Sequence, residues 1–251
     1  MNRIVWLGHS TVLMDLDGVH LLTDPLLRMN VSLLRRTAPI DASALDGIDA
    51  VLISHVHQDH LDLASLRRIG TGTPVVVPRG AGRLLSRLGF TSVTEVVAGE
   101  GHRFGDVRVK ATPAVHDAHR RWRGVRAPCL GYVVEGSARL YFAGDTDVFP
   151  EMADIRGDLD LDVAHLPIAG WGPSLGPGHL DPRGAAEALT LLRPRTAVPI
   201  HWGTLRPLHV RRTARYLHDP PVDFARYAAE AAPDTRVVVI PPGGTLNLDM
   251  P

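Results

Sequence analysis

Hydrophobic residues along the chain fall into short alternating or continuous runs separated by polar breaks. "RIVWLG" and "TVLMDLDGVHLLTD" have the spacing of short strands, and Asp17-Gly18 inside the second run predicts a hairpin turn. "PLLRMNVSLLRRTAP" neither alternates nor carries a cap, and reads as a long loop or a short helix. "DAVLIS" is a buried strand. "LDLASLRRIG" then places Leu63, Leu66 and Ile69 at helical spacing, with Gly70 as the stop. "TPVVVP", a helix in "GAGRLLSRLG", and "SVTEVV" continue the alternation, and "VRVKATPAV" and "LGYVVEGSARLYFAGD" read as a run of strands. In the second half "LDVAHLPIAG" is a strand, and Asp181-Pro182 supplies an N-cap and first-turn proline for the helix "RGAAEALTLL". "TAVPIH", a helical region near 208–231, "TRVVVIPP" and "GTLNLD" complete the chain. Two blocks of strands, each followed by helices, predict two sheets packed face to face with helices outside.

Composition narrows the function classes. A chain of 251 residues with 45% hydrophobic and 22% charged residues is an ordinary globular one, long enough to bury a large core. Net charge is zero, which speaks against a nucleic-acid or acidic-membrane partner chosen by bulk charge. Cys129 is the only cysteine, so neither an intrachain disulfide nor a cysteine-rich zinc site can form. The N-terminus lacks a basic segment followed by a long apolar run, and no apolar stretch approaches the ~20 residues of a membrane span. The expectation is a cytoplasmic protein.

Polar residues able to bind a metal stand just after strands: His55 and His57 after "AVLIS", His116 after "ATPAV", Asp145 after "YFAG" and His201 after "TAVPI". Strand ends converge at one sheet edge, so these residues can meet. His55 and His57 are two apart and point the same way at a strand end, so both can reach one ion. Asp59 and His60 lie beyond a turn and approach from another angle, as a second ion beside the first requires. Imidazole and carboxylate suit zinc, manganese or iron.

The run His55, His57, Asp59, His60 resembles the His-x-His-x-Asp-His signature of the metallo-β-lactamase fold superfamily. Asp24 in "LLTDP", His116, Asp145 in "FAGDT" and His201 in "PIHWGT" resemble its remaining motifs in order. "WLGHSTVL", "LISHVHQDHLD" and "LPI" are similar to the branch of N-acylphosphatidylethanolamine-hydrolysing phospholipase D and, more distantly, L-ascorbate-6-phosphate lactonase. The resemblance implies an α/β fold, a four-layer αββα sandwich of two mixed β-sheets flanked by helices, as one domain over residues 1–251. It implies two divalent ions, zinc first, with manganese or iron as alternatives. His55, His57 and His116 would hold one ion and Asp59, His60 and His201 the other, with Asp145 bridging. The expected activity is hydrolysis of a phosphodiester or cyclic ester of a small molecule or lipid by a bridging hydroxide, with Asp59, Asp145 and His179 as catalytic residues. An iron-dependent redox protein and a non-enzymatic metal binder are the alternatives.

Around this set, the resemblance makes Asp24 the acid that orients the histidine loop. His9 in "GHS" is either near the site or a turn residue. His179 in "GPGHLDP" faces substrate or donates a proton to the leaving group, and Trp171 walls the pocket or packs. Arg120, Arg121, Arg123 and Arg126 follow His116 and would suit a phosphate, unless they are simply solvated; Arg120 and Arg123 are the named substrate candidates. Segment 25–36 carries six large aliphatics and three arginines in twelve positions. It reads as a lid, a peripheral lipid contact or a homo-oligomer interface. Two departures are visible: Asp147 replaces the glycine of "Gly-Asp-Thr-Gly", and the long N-terminal extension expected of a phospholipase is missing.

Overall fold

The alternation in the first strands resolves into two faces. Ile4, Trp6, Val12, Met14 and Leu16 point into a core shared with Val107, Val109, Ala111, Tyr132, Val134 and Phe142 from the middle of the chain. Val5, Leu7, Leu13 and Leu22 face the other way and pack beneath Ile40, Leu45 and Ile48. The structure, a computed structural model, describes residues 2–40, 45–117, 119–120, 124–157 and 160–248, with only the backbone of Arg120.

Two mixed seven-stranded sheets sandwich that core. In spatial order the first holds Gly244–Asn247, Arg3–Gly8, Thr11–Leu16, Val19–Thr23, Ala50–Leu52, Val75–Pro78 and Val93–Val96. The second holds Arg236–Val237, Thr196–Ile200, Val163–Pro167, Arg139–Phe142, Leu130–Glu135, Val107–Pro113 and Gly101–Phe104. Helices α1 (Leu63–Ile69) and α2 (Gly82–Ser86) cover the outside of the first sheet through Leu63, Leu66, Leu84 and Leu85. Helices α3 (Met152–Arg156), α4 (Pro182–Leu192) and α5 (Pro220–Ala231) cover the second through Met152, Leu189 and Phe224. This is the four-layer αββα sandwich that the resemblance implies.

Local signals set the turns and helix starts. Asp17 and Gly18 adopt φ of 53° and 79°, the left-handed pair of a two-residue hairpin. The Asp62 side chain caps α1 at Ser65 N and Asp181 caps α4 at Gly184 N.

Segment 25–36 is a correction. It is neither long loop nor helix but a short hairpin, Asn30–Val31 against Leu34–Arg36, with Ser32 in the turn at φ 52°. Leu205–Pro207 adds a third strand. The reason is burial: Val31 and Leu34 pair and pack with Leu26 and Leu205, a two-residue period masked by the surrounding leucines. The arginine run divides likewise. Arg36 is buried and donates to the carbonyls of Leu7 and Leu26, and burial pushes its guanidinium down to about 10. The helical expectation near 208–231 shrinks to a short 3-10 turn, Arg215–Leu217, and α5, whose Pro220 and Pro221 occupy the first turn, where a missing N–H costs little. "GTLNLD" returns as the edge strand beside the chain's own first strand.

Candidate metal centre

Loops at the ends of strands from both sheets meet over the core. From the first sheet, residues 53–62 leave strand Ala50–Leu52 and enter α1, and this loop is wrapped around Asp24. The Asp24 carboxylate accepts from Ser54 N (2.7 Å), Ser54 Oγ (2.5 Å) and His60 Nδ1 (2.7 Å). All three residues are fully buried. From the second sheet come His116, Asp145 and His201, each just beyond a strand. Gly144 permits the closure. Its φ is 63°, and a Cβ there would lie 2.7 Å from Ser54 Cβ and 2.8 Å from Leu130 O.

The ring nitrogens form two groups. His55 Nε2 lies 3.0 Å from His57 Nδ1, which lies 3.1 Å from His116 Nε2. His60 Nε2 and His201 Nε2 are 3.4 Å apart, with Asp59 beside them. Asp145 stands between the groups: Oδ2 is 3.2 Å from His60 Nε2 and 3.9 Å from His55 Nε2, and Oδ1 is 3.4 Å from His201 Nε2.

Outer partners fix where the protons are. His116 Nδ1 faces Gly178 O at 2.9 Å and His201 Nδ1 faces Ala169 O at 2.6 Å; a carbonyl only accepts, so both Nδ1 atoms carry hydrogen. Ser54 gives its single hydroxyl proton to Asp24, so its oxygen accepts from His55 Nδ1 at 2.9 Å. The inward nitrogens of His55, His116 and His201 are therefore bare. The bare Nε2 atoms of His55 and His116 both face His57 Nδ1, which carries at most one hydrogen for the two, and among the described residues no hydrogen bond reaches the buried Asp145 Oδ1. Cations between these groups would satisfy the acceptors left over. A tetrahedral ion with metal–nitrogen bonds of about 2.0–2.1 Å holds its ligand nitrogens about 3.3 Å apart, close to the separations seen. The donor set fits divalent metal.

Charge follows the same logic. Burial pushes His55 and His57 down, reinforced by His60, and takes His116 down to about 4. Burial opposes ionisation of Asp145, but His201 and His60 hold its carboxyl well below the usual range. Asp59 behaves alike: burial raises it, while His60 and the His9 hydrogen bond bring it well below. Burial would lower His60, yet Asp145, Asp59 and Asp24 hold it well above the ordinary imidazole value.

A cavity of about 330 Å³ opens over the centre, lined by His57, Asp59, Asp145 and His201 on its floor and by Trp171, Leu175 and His179 on its wall. His179 Nδ1 donates to Gly176 O (3.0 Å), and Nε2 points inward, 3.6 Å from Asp145 Oδ2. Trp171 is 48% exposed and bounds the cavity rather than packing in the core. Asp147, the departure in the fourth motif, turns to solvent and accepts from Val148 N. Arg123 and Arg121 lie outside the described residues, as does the side chain of Arg120. Cys129 is buried, with Sγ against His116 O. His165 sits in the core.

Sequence reasoning left His9 undecided and did not single out Ser54 or Thr204. His9 proves fully buried, with Nε2 3.0 Å from Asp59 Oδ2. The available signal was its place after Gly8 at the end of an apolar strand.

Comparison with known proteins agrees with this geometry. A family model described as the beta-lactamase superfamily domain matches residues 20–202. A UPF0173 metal-dependent hydrolase of Nitratidesulfovibrio vulgaris is 34% identical, over 99% of this chain and 96% of its own. N-acyl-phosphatidylethanolamine-hydrolyzing phospholipase D 1 of Caenorhabditis elegans is 32% identical over 79% of this chain and 63% of its own. Among solved structures, the metallo hydrolase Igni18 of Ignicoccus hospitalis superposes with a TM-score of 0.75 at 25% identity, covering 98% of this chain and 97% of that one. With fold, strand-end histidines and end-to-end relatives in agreement, the chain belongs to the beta-lactamase superfamily, among its metal-dependent hydrolases.

Proposed function

We propose that the chain hydrolyses a phosphodiester or a cyclic ester with the help of two divalent ions, zinc in the first place. His55 Nε2, His57 Nδ1 and His116 Nε2 would hold one ion, and Asp59, His60 Nε2 and His201 Nε2 the other, with Asp145 shared. The observation that carries this reading is the gathering of inward-facing ring nitrogens around an Asp145 oxygen that no hydrogen bond reaches among the described residues. Both sheets supply ligands, so residues 1–251 work as one catalytic unit.

Two divalent ions at such a centre supply an ionised water near neutral pH and a Lewis acid for the oxygen of the scissile ester. The chain's own residues do the rest. Asp24 and Ser54 hold His55 and His60 in the tautomers that leave Nε2 bare. Gly178 O and Ala169 O do the same for His116 and His201. His179 turns Nε2 into the cavity, in position to face the leaving oxygen, while Gly176 O keeps the ring oriented through Nδ1. Trp171 and Leu175 exclude water from one side of the bound ester.

The cavity volume favours a small ester or the head of a larger one. The relative named as a phospholipase D supports the phosphodiester within this pair. Leu33 and Leu208 stand in solvent at the tip of the small accessory sheet, joined by the Leu208 N to Leu33 O hydrogen bond (3.1 Å), with Arg35 exposed nearby. We read this tip as a peripheral contact for a lipid-borne substrate. A cytoplasmic site of action agrees with a single, buried thiol.

Metal analysis of purified protein tests the reading first, followed by a panel of an aryl phosphodiester and aliphatic lactones. Two zinc or manganese ions per chain, and turnover abolished in Asp145→Ala, are expected. Two ions without turnover of either ester class would refute the substrate assignment, and predominant iron in protein from a zinc-replete host would point to redox chemistry instead.

A further inference from the structure

Histidines around the centre sort by what the inward nitrogen carries. His116 and His201 spend Nδ1–H on main-chain carbonyls and turn a bare Nε2 inward. His9 does the reverse. Its Nε2 lies 3.0 Å from Asp59 Oδ2, and an ionised carboxylate only accepts, so this nitrogen carries the hydrogen. No other hydrogen bond reaches the Asp59 side chain among the described residues. The nearest other partner is His60 Nε2, 3.9 Å away.

The main chain fixes His9 on both sides. Its N–H donates to Thr204 Oγ1 (3.0 Å), and its carbonyl accepts from Trp6 Nε1 (2.8 Å) and from His201 N (3.0 Å). The ring is 1% exposed and lies against His201, with centroids 3.9 Å apart. Its φ is 55°, in the left-handed region, which residues with a Cβ enter at a cost. A buried side chain in a costly backbone conformation, tied by three main-chain hydrogen bonds and aimed at one carboxylate, has the form of a fixed donor.

We propose that His9 is a positioning residue for the second ion: its Nε2–H holds Asp59 on the cavity floor beside His60 and His201. The Asp59 side chain is 20% exposed and sits on a turn, so without this bond its carboxylate is free to swing into solvent. His9 is not itself a ligand, because its inward nitrogen is occupied by hydrogen. The proposal rests on the two-ion reading given above.

The test titrates metal-free wild type, His9→Asn and His9→Gln with zinc against a chromophoric chelator, and records the visible spectrum of each protein saturated with cobalt. Asparagine tolerates the left-handed backbone but is too short to reach Asp59, whereas the glutamine amide can donate. In His9→Asn the second zinc equivalent is expected to bind about 10–100-fold more weakly, as for other lost partners of metal ligands, with the first equivalent unchanged. The unchanged first equivalent reports an intact fold. His9→Gln should recover most of the loss, and the saturated cobalt spectra should match wild type. Equal second-site affinity in His9→Asn, no rescue by His9→Gln, or a cobalt spectrum altered at saturation would each overturn the proposal, the last by making His9 a ligand. Wild type that takes up only one ion would instead bring down the two-ion reading, and this inference with it.

Discussion

At the scale of single residues, the centre depends on side chains that touch no ion. Asp24 accepts three hydrogen bonds inside a fully buried site. Asp24→Asn keeps the shape but turns an N–H2 group toward at least one donor. A buried donor left facing another donor costs about 1–3 kcal/mol. The variant should lose that much stability in urea denaturation of the chelated protein, and bind zinc about 10–100-fold more weakly. Wild-type affinity in a folded Asp24→Asn protein would show that the outer hydrogen bonds do not set the ring tautomers. His165 makes a separate pH prediction. Burial depresses it from 6.5 to about 4, and among the described residues only Tyr141 O reaches the ring, at Nδ1. Above pH 6.5 it is neutral both folded and unfolded, so it contributes no pH dependence. As pH falls from 6.5 to about 4, the unfolded chain takes up a proton that the folded one refuses, and stability is lost over that window, by roughly 3 kcal/mol at its end. His165→Leu should remove this part of the slope. Urea denaturation of chelated wild type and variant at several pH values measures it as a difference, in which the other buried histidines cancel. Parallel pH curves would contradict the assignment.

At the scale of elements, the sequence was legible where one signal acted alone. Asp17-Gly18, Gly70 and Asp181-Pro182 mark turns and helix ends because each acts through its own backbone. The candidate ligands could be grouped as well, since each follows an apolar strand and strand ends share an edge. What could not be read was long-range pairing. The hairpin at 30–36 exists because Leu205–Pro207 lies beside it, and nothing local announces a strand from the far end of the chain. His9 was ambiguous for the same reason: its meaning comes from Asp59, fifty positions away. The accessory sheet also carries a prediction. Leu33 is 74% and Leu208 54% exposed, and segments 25–37 and 202–218 contain several arginines and no acidic residue. Apolar tips beside basic side chains suit the interface of an anionic bilayer. Wild type should sediment with vesicles containing phosphatidylglycerol, less at high salt, and a Leu33→Asp/Leu208→Asp double variant should stay in the supernatant with its melting temperature unchanged. Equal sedimentation of both proteins would remove the lipid contact from the proposed function.

At the scale of the molecule, the centre is a joint between two sheets that already share a core. His55, His57, Asp59 and His60 follow a strand of the first sheet, and His116, Asp145 and His201 follow strands of the second. Ions bound there would crosslink the two halves at one edge, while the apolar core between the sheets lies below and contains none of the candidate ligands. Metal removal should therefore loosen the loops without unfolding the sandwich. A ligand that binds only the folded state, at a free concentration one hundred times its dissociation constant, adds about 2.7 kcal/mol of stability. In a chain of this size each kcal/mol moves the melting temperature by about 2–4 °C. With two ions so bound, chelation should accordingly lower it by roughly 11–22 °C, with far-ultraviolet circular dichroism at 25 °C unchanged and amide exchange faster in residues 53–62 and around His201. Loss of secondary structure on chelation would mean that the ions hold the fold itself. An unchanged melting temperature and exchange pattern would mean that nothing binds between the two sheets.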